Sequence, residues 1–277
     1  MKIIITGARG YLGQHFQKFL SDQGETVIPS HTDIGNLEQV RTELKENQPD
    51  IVLNCAGKTG RPNVDWCETH QAETLYANVT GPLILLQACI ESNIRLVHLG
   101  SGCVYDGDNH GNGFSEMDAP NFDGSFYSRT KAWSERMLFE FPVLQLRLRM
   151  PIDANAGERN FISKILKYEK VINVPNSMTV IEDFLPAAYE LMKRNKIGIY
   201  NMTNPGQIDH KTILNLYKEV VDPAYTYTLM SVEEMYEKYA CTGRSNCLLN
   251  TDKLASEGIR MRPIKDAIRD CLIKGFK

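Results

Sequence analysis

Short, nearly unbroken apolar runs alternate with amphipathic stretches through the first half of the chain. Lys2–Thr6, Thr26–Pro29, Ile51–Asn54, Arg95–Leu99 and Val143–Leu148 are dense in aliphatic residues. That is how strands covered on both faces read. Between them, Tyr11–Gln23, Leu37–Asn47, Glu68–Ser92 and Tyr127–Phe139 place apolar residues at helical spacing. The order predicts an α/β chain built on a doubly wound parallel sheet. After Pro151 the pattern weakens. Arg159–Tyr168, Ile181–Arg194, His210–Val220, Val232–Tyr239 and Ile264–Ile273 read as short helices, broken by the turns Val174–Ser177 and Thr203–Gly206. The run Gly198–Met202 reads as one more strand. The predicted organisation is a core over residues 1–150, joined by a later strand near 197–202, and a smaller, interleaved, mainly substrate-binding lobe over 151–277.

Composition narrows the function classes. The chain has 277 residues, 42% hydrophobic and 23% charged, which excludes a disordered or fibrous protein. The net charge of −3, without a basic run, argues against sequence-independent nucleic-acid binding. The most apolar stretch, Pro82–Ile90, falls well short of the ~18–20 residues a membrane span needs. A glycine motif begins at Gly7, which leaves no room for an apolar leader, so a cytoplasmic protein is expected. Seven cysteines with no C-x-x-C spacing, and six scattered histidines, suggest neither a disulfide framework nor a metal site.

The first predicted strand runs straight into Gly7-Ala8-Arg9-Gly10-Tyr11-Leu12-Gly13 and then a helix. Glycines at this junction let the backbone turn tightly and approach a pyrophosphate, and the helix N-terminus offers free N–H groups to the anion. The reading is a Rossmann-like dinucleotide site. The second strand ends Val27-Ile28-Pro29-Ser30-His31 with no acid to accept from a ribose hydroxyl, while Arg9 lies in the turn. NADPH is therefore expected over NADH, which stays possible. The expected cofactor contacts are Gly7, Arg9, Gly10, Tyr11, Leu12, Gly13, Ser30, Ala56, Gly57 and Met150, with Tyr127 and Lys131.

Tyr127 and Lys131 stand four apart, on one face of a predicted helix. A cation beside a phenol lowers its pKa and makes it a usable proton donor near neutrality. Upstream, Ser101 follows a predicted strand, at the edge where such sheets bind ligands. Cys103 lies two residues on. Its thiol suits carbon acid–base work, although a cysteine there also reads as a small buried hydrophobe. Lys164 alone reads as a solvated helix lysine, and Arg147 and Arg149 as structural members of a strand.

The glycine turn, Ser101 and Tyr127-x-x-x-Lys131 together resemble the extended short-chain dehydrogenase/reductase family. Longer stretches are similar to the plant bifunctional UDP-4-keto-6-deoxyglucose 3,5-epimerase/4-reductases of UDP-rhamnose synthesis: AGKTGRPNVDWCE (56–68), NFDGSFYSRTKA (121–132), LRLRMPI (146–152), RNFISKI (159–165), NVPNSMTV (173–180), NMTNPG (201–206) and RSN (244–246). The resemblance implies a nucleotide-linked 4-keto-6-deoxyhexose substrate, with Ser101, Tyr127 and Lys131 as the reductase set. It gives Cys103 and Lys164 the epimerase acid–base roles, with the assignment of acid and base open. The plant enzymes carry Thr at the position of Ser101. Arg244, Asn160 and Arg61 become diphosphate candidates, and Asn63 and Asp65 candidates for sugar hydroxyls. A homodimer is expected by the same analogy. A monofunctional 4-reductase, resembling dTDP-4-dehydrorhamnose reductase, and a catalytically idle NADP-binding regulatory subunit are the alternatives.

Overall fold

The computed structural model describes residues 1–277. Five strands form where the apolar runs predict them: β1 (Lys2–Thr6), β2 (Thr26–Pro29), β3 (Ile51–Asn54), β4 (Arg95–Ser101) and β5 (Leu144–Leu148). Gly198–Asn201 completes a six-stranded, wholly parallel sheet ordered β2-β1-β3-β4-β5-(198–201). The chain starts at β1, moves outward to β2, and returns to the other side of β1 as β3. That reversal opens a crevice at the carboxyl ends of β1 and β3, the place where open α/β sheets bind ligands.

The near-continuous apolar runs follow from two covered faces. Ile3, Ile5, Ile51, Leu53, Val97 and Leu99 point to one side and pack with Phe16 and Leu20 of the helix Tyr11–Asp22 and with Phe184, Ala188 and Leu191 of the helix Ile181–Lys193. Ile4, Val52 and Leu96 point to the other, against Val40 and Leu44 of the helix Leu37–Asn47 and Leu85 and Cys89 of the helix Gly81–Glu91. This is the period of two expressed with apolar residues in both registers. Phe16 and Phe184 meet edge-on with centroids 5.5 Å apart, worth about 0.5–1.5 kcal/mol beyond the area they bury.

A second core lies beyond β5. It is built from Ile152, Ile162, Ile165, Val180, Ile213, Leu214, Ile268 and Leu272. Two short parallel pairings frame it, Pro151–Ile152 with Thr179–Val180 and Lys170–Val171 with Thr228–Leu229. Two residues per strand leave no periodic trace, and the sequence pattern missed them.

The stretch read as one helix, Glu68–Ser92, is four pieces. Trp66–Thr69 and Gln71–Leu75 are separated by His70 at φ −124°, ψ 50°. A π-helical turn follows at Tyr76–Thr80, and only Gly81–Glu91 is a regular helix. Pro82 has no N–H to give the carbonyl of Asn78 four residues back, which explains why the widened turn sits there. Such turns mark functional segments.

One buried ion pair joins sheet to helix. Arg147 of β5 forks onto Glu135 of the helix Phe126–Phe139 at 2.8 and 3.0 Å, donates to Asn201 Oδ1 at 2.8 Å, and lies over the Tyr105 ring. Both partners are almost fully buried. Removing one member strands a buried charge. Glu135→Ala is expected to cost about 3–5 kcal/mol of stability by urea denaturation, and Glu135→Met combined with Arg147→Met to restore most of that loss.

Candidate active site

The glycine turn is shaped by contact as well as by dihedral angle. Gly7 has φ +64°, and a Cβ on it would lie 2.6 Å from the backbone nitrogen of Ala56. A Cβ on Gly13 would lie 2.4 Å from the Gly7 carbonyl oxygen. The turn is therefore wedged between the end of β3 and its own helix, which starts after Gly10. The first N–H groups of that helix face the crevice, where the dipole favours an anion.

A cavity of about 590 Å³ runs along this edge. Arg9, Gly10, Tyr11, Leu12, Ala56 and Gly57 line one end, and Ser101, Tyr127, Lys131 and Met150 the other. Gly7 and Gly13 shape the wall without lining it. Ser30 does not reach the cavity: its hydroxyl is buried and donates to Glu43 Oε2 at 2.8 Å.

Ser101 ends β4, and its Oγ accepts from the Cys103 N–H at 3.2 Å. Tyr127 sits in the first turn of the helix Phe126–Phe139, whose N-terminus Ser125 caps by accepting from Ser128 N. The Phe126 N–H donates to Glu68 Oε1 at 2.6 Å, and Glu68 Oε1 also accepts from the Thr242 hydroxyl. Three distant segments thus fix where the phenol stands. Lys131 follows one turn later, donates to the Leu99 carbonyl at 2.9 Å, and lies 3.4 Å from His98 Nε2.

The electrostatics differ from the simple expectation. Lys131 does not hold the phenol down. Burial pushes the Tyr127 phenol up, Cys103 adds to this, and Ser101 works against it. Burial also pulls the Lys131 amine down to about 8, against the pull of Glu135 and Cys103 toward the cation. His98 is forced neutral by burial and by Lys131.

Asn78 was not legible as a site residue. It sits in the π-helical turn, accepts from Lys58 N at 2.8 Å, and donates to the Lys58 carbonyl and to Thr130 Oγ1. It pins the loop after β3 to the helix of Tyr127 and also lines the cavity.

Cys103 is not on a strand. β4 ends at Ser101, and Cys103 occupies a 3₁₀ turn, Gly102–Val104. Its sulfur still faces the site and accepts from Arg149 Nη1 at 3.4 Å. Lys164 is held by the short helix Phe161–Ile165, and burial followed by the Arg159 cation keeps its amine below the usual lysine range.

A second cavity of about 600 Å³ lies beyond the first. Asn63 and Arg244 line it, as do Tyr168, Met230 and Tyr239 farther out. Cys103, Tyr127, Met150, Arg159, Phe161 and Lys164 line both cavities. Of the four proton carriers, Cys103, Tyr127 and Lys164 stand at the junction of the two cavities, and Lys131 lines the first.

The other expected contacts divide. Arg61 lines the first cavity, and burial followed by the Arg61 cation holds the Arg159 guanidinium below its usual range. The Arg244 guanidinium forks onto Asp65 at 2.7 and 2.8 Å and holds that carboxyl below its usual range. Asp65 is thereby occupied by a cation. Asn160 is a correction. It is fully buried, caps the helix Phe161–Ile165, donates to Asp153, and reaches neither cavity. Arg159 and Lys58 line the first cavity, and sequence spacing pointed to neither.

A parallel sheet with a glycine turn at its crevice, and Ser101, Tyr127 and Lys131 on the same edge, define an oxidoreductase of the short-chain dehydrogenase/reductase type. Residues 1–274 match the RmlD substrate binding domain family, and the chain belongs to it. It is 40% identical, over 96% of its length and 90% of the relative's, to the bifunctional dTDP-4-dehydrorhamnose 3,5-epimerase/dTDP-4-dehydrorhamnose reductase of Arabidopsis thaliana. It is 42% identical to a trifunctional UDP-glucose 4,6-dehydratase/UDP-4-keto-6-deoxy-D-glucose 3,5-epimerase/UDP-4-keto-L-rhamnose-reductase of the same plant, of which it spans 41%. Its structure matches the UDP-rhamnose synthase of Acanthamoeba polyphaga mimivirus over 99% of both chains, with TM-score 0.94 and 36% identity. No helix is long and apolar enough to cross a membrane.

Lys131 makes stability depend on pH in a definite direction. Its amine titrates near 8 when folded and near 10.5 otherwise, so between these values the unfolded chain binds more protons and stability rises with pH. Unfolding by urea should show wild type gaining up to roughly 3 kcal/mol more than Lys131→Met between pH 8 and pH 10.5. Parallel curves for the two proteins would contradict the buried, depressed amine.

Proposed function

We propose that the chain is a bifunctional 3,5-epimerase/4-reductase that converts UDP-4-keto-6-deoxy-D-glucose to UDP-L-rhamnose with NADPH. The observation that carries this reading is the first cavity, lined by Ser101, Tyr127 and Lys131 together with Cys103 and Lys164, the last two also facing the second cavity. A reductase alone has no need of the last two.

The residues fit the cofactor. The close packing of Gly7 and Gly13 bares backbone N–H groups for a pyrophosphate. Arg9 stands exposed at the cavity mouth, where a 2′-phosphate would lie, and Tyr127 and Lys131 face the opposite end. When bound, NADPH supplies the hydride that reduces C4. Seven unpaired cysteines suit a reducing cytoplasm. The exposed Ile90, Trp133 and Met137, on two neighbouring helices, would support a homodimer.

The sugar's C4 ketone sits at the junction in this reading, with its nucleotide in the second cavity. Arg61, Arg159 and Arg244 serve the diphosphate. Asn63 is offered to the sugar, Asp65 orients Arg244, and Asn160 holds the helix that carries Lys164. The ketone acidifies the hydrogens on C3 and C5. A base removes one, the enolate oxygen is stabilised by Ser101 and Tyr127, and an acid returns a proton on the other face. Cys103 and Lys164 fill these two roles. In the reductive step Tyr127 gives its proton to the developing C4 alkoxide, and Ser101, which works against the raised phenol, stabilises the phenolate left behind, while Lys131 would hold the nicotinamide ribose.

The test uses UDP-4-keto-6-deoxyglucose in deuterated water, followed by NMR and by NADPH absorbance. Cys103→Ala and Lys164→Ala should each lose deuterium incorporation at C3 and C5 by at least about 100-fold, yet still reduce the sugar once it is epimerised. Tyr127→Phe should keep the exchange and lose about 100-fold or more in reduction. Wild-type turnover of the unepimerised sugar by Cys103→Ala would reduce the chain to a simple 4-reductase. A higher kcat/KM for the dTDP-linked sugar would overturn the nucleotide assignment.

A further inference from the structure

Arg149 is 1% exposed and forms no ion pair with a carboxylate. A buried guanidinium without an anion is costly, so its surroundings must compensate for it. It has five N–H groups, and all five are engaged. Nε and one Nη2 hydrogen go to Asn176 Oδ1 at 3.2 and 2.5 Å. The other Nη2 hydrogen goes to the Ser245 carbonyl. One Nη1 hydrogen goes to Ser245 Oγ at 2.9 Å, and that hydroxyl in turn donates a hydrogen bond to the Tyr105 carbonyl. The fifth goes to Cys103 Sγ at 3.4 Å. Four of these hydrogen bonds go to three oxygens that stay neutral. Cys103 is the one partner able to become an anion.

A neighbouring sulfur shows the contrast. Cys247 also lies in the field of Arg149. Its thiol donates to the Gly102 carbonyl at 3.2 Å and is pushed up by burial. Cys247 is thus held as a thiol by an acceptor, whereas Cys103 receives a hydrogen bond from a cation. Tyr127 lies in the same field and is buried with Cys103 beside it. Lys164, the other epimerase candidate, stands among cations, next to Arg159.

We infer that Arg149 is the counter-ion of Cys103, so that Cys103 works as a thiolate base and Lys164 as the ammonium acid. The inference rests on the epimerase reading above. The thiolate removes a proton from the carbon beside the C4 ketone. An S–H bond forms, the C–H pair becomes the C=C bond, and the carbonyl oxygen takes the negative charge. The Lys164 ammonium then gives a proton to the opposite face of that carbon, the C=O re-forms, and Lys164 is left as an amine. The thiol returns its proton to solvent and the amine regains one, so the cycle is balanced. Arg149 gives one hydrogen bond to the sulfur and the other four to Asn176 and Ser245, so it acts through Cys103 as a positioning and charge-holding residue.

The test reads Cys103 directly, without substrate or cofactor. Iodoacetamide labelling at pH 7 is followed by mass spectrometry of the Cys103 peptide, which separates it from the exposed Cys241. Arg149→Met removes the charge. Asn176→Asp keeps Arg149 and gives it a carboxylate, which covers the case in which Arg149→Met fails to fold. Both are expected to slow Cys103 labelling at least about tenfold, because each removes or neutralises the cation that hydrogen-bonds the sulfur. Arg149→Lys, which retains a cation, should remain within about threefold of wild type. An unchanged labelling rate in folded Asn176→Asp overturns the inference. Deuterium exchange at C3 and C5 separates the two claims. Labelling that depends on Arg149 in a wild-type protein with no exchange would sink the epimerase reading and leave the ion pair standing. Full exchange in an Asn176→Asp protein whose labelling has collapsed would sink the thiolate base.

Discussion

The fork of Arg147 onto Glu135 fixes the register of the helix that carries Tyr127 and Lys131 against the sheet. Everything chemical in this molecule depends on that register. The phenol and the amine stand one helical turn apart, so a slide of the helix would move both away from Ser101. The pair is buried, and Asn201 of the last sheet strand accepts a third guanidinium hydrogen bond. A surface ion pair would give no such fixity. A second arginine follows two residues later, just past the end of β5. Arg147 has its carboxylate and is structural. Arg149 has none and is turned toward a sulfur. The strand pattern shows two alike residues, and only their partners separate them.

The core fold was legible because parallel sheets advertise themselves. Both faces of each strand are covered, so the runs are continuous, and β1 to β3 fall where the runs lie. The glycine turn, Ser101, Tyr127 and Lys131 were legible because they sit at fixed places relative to those strands. The misreadings share a cause. Glu68–Ser92 has helical composition throughout, and a composition pattern does not register the missing N–H of Pro82 or the widened turn it accompanies. Asn160 occurs in a stretch resembling known enzymes, but its amide is spent on the capping of its own helix and on Asp153.

Arg159 and Asn78 escaped notice, and Arg149 was read only as a structural strand residue, for a further reason. Their significance lies in partners far along the chain. Arg149 meets Ser245 96 residues away, and Asn78 meets Thr130 52 residues away. No local spacing encodes such a meeting. The lowered amines of Lys131 and Lys164 come from burial, which follows from the same long-range packing. Sequence identified the chemical groups, and the tertiary structure gave them their charge states.

The fork between Arg244 and Asp65 ties the segment near 242–245 to the loop after β3, 179 residues earlier. Thr242 adds a second tie to Glu68. For protein engineering this makes the two halves non-modular. A C-terminal half transplanted onto a foreign nucleotide-binding half would carry an arginine whose aspartate had been left behind, so a working chimera has to move both ends of the fork together.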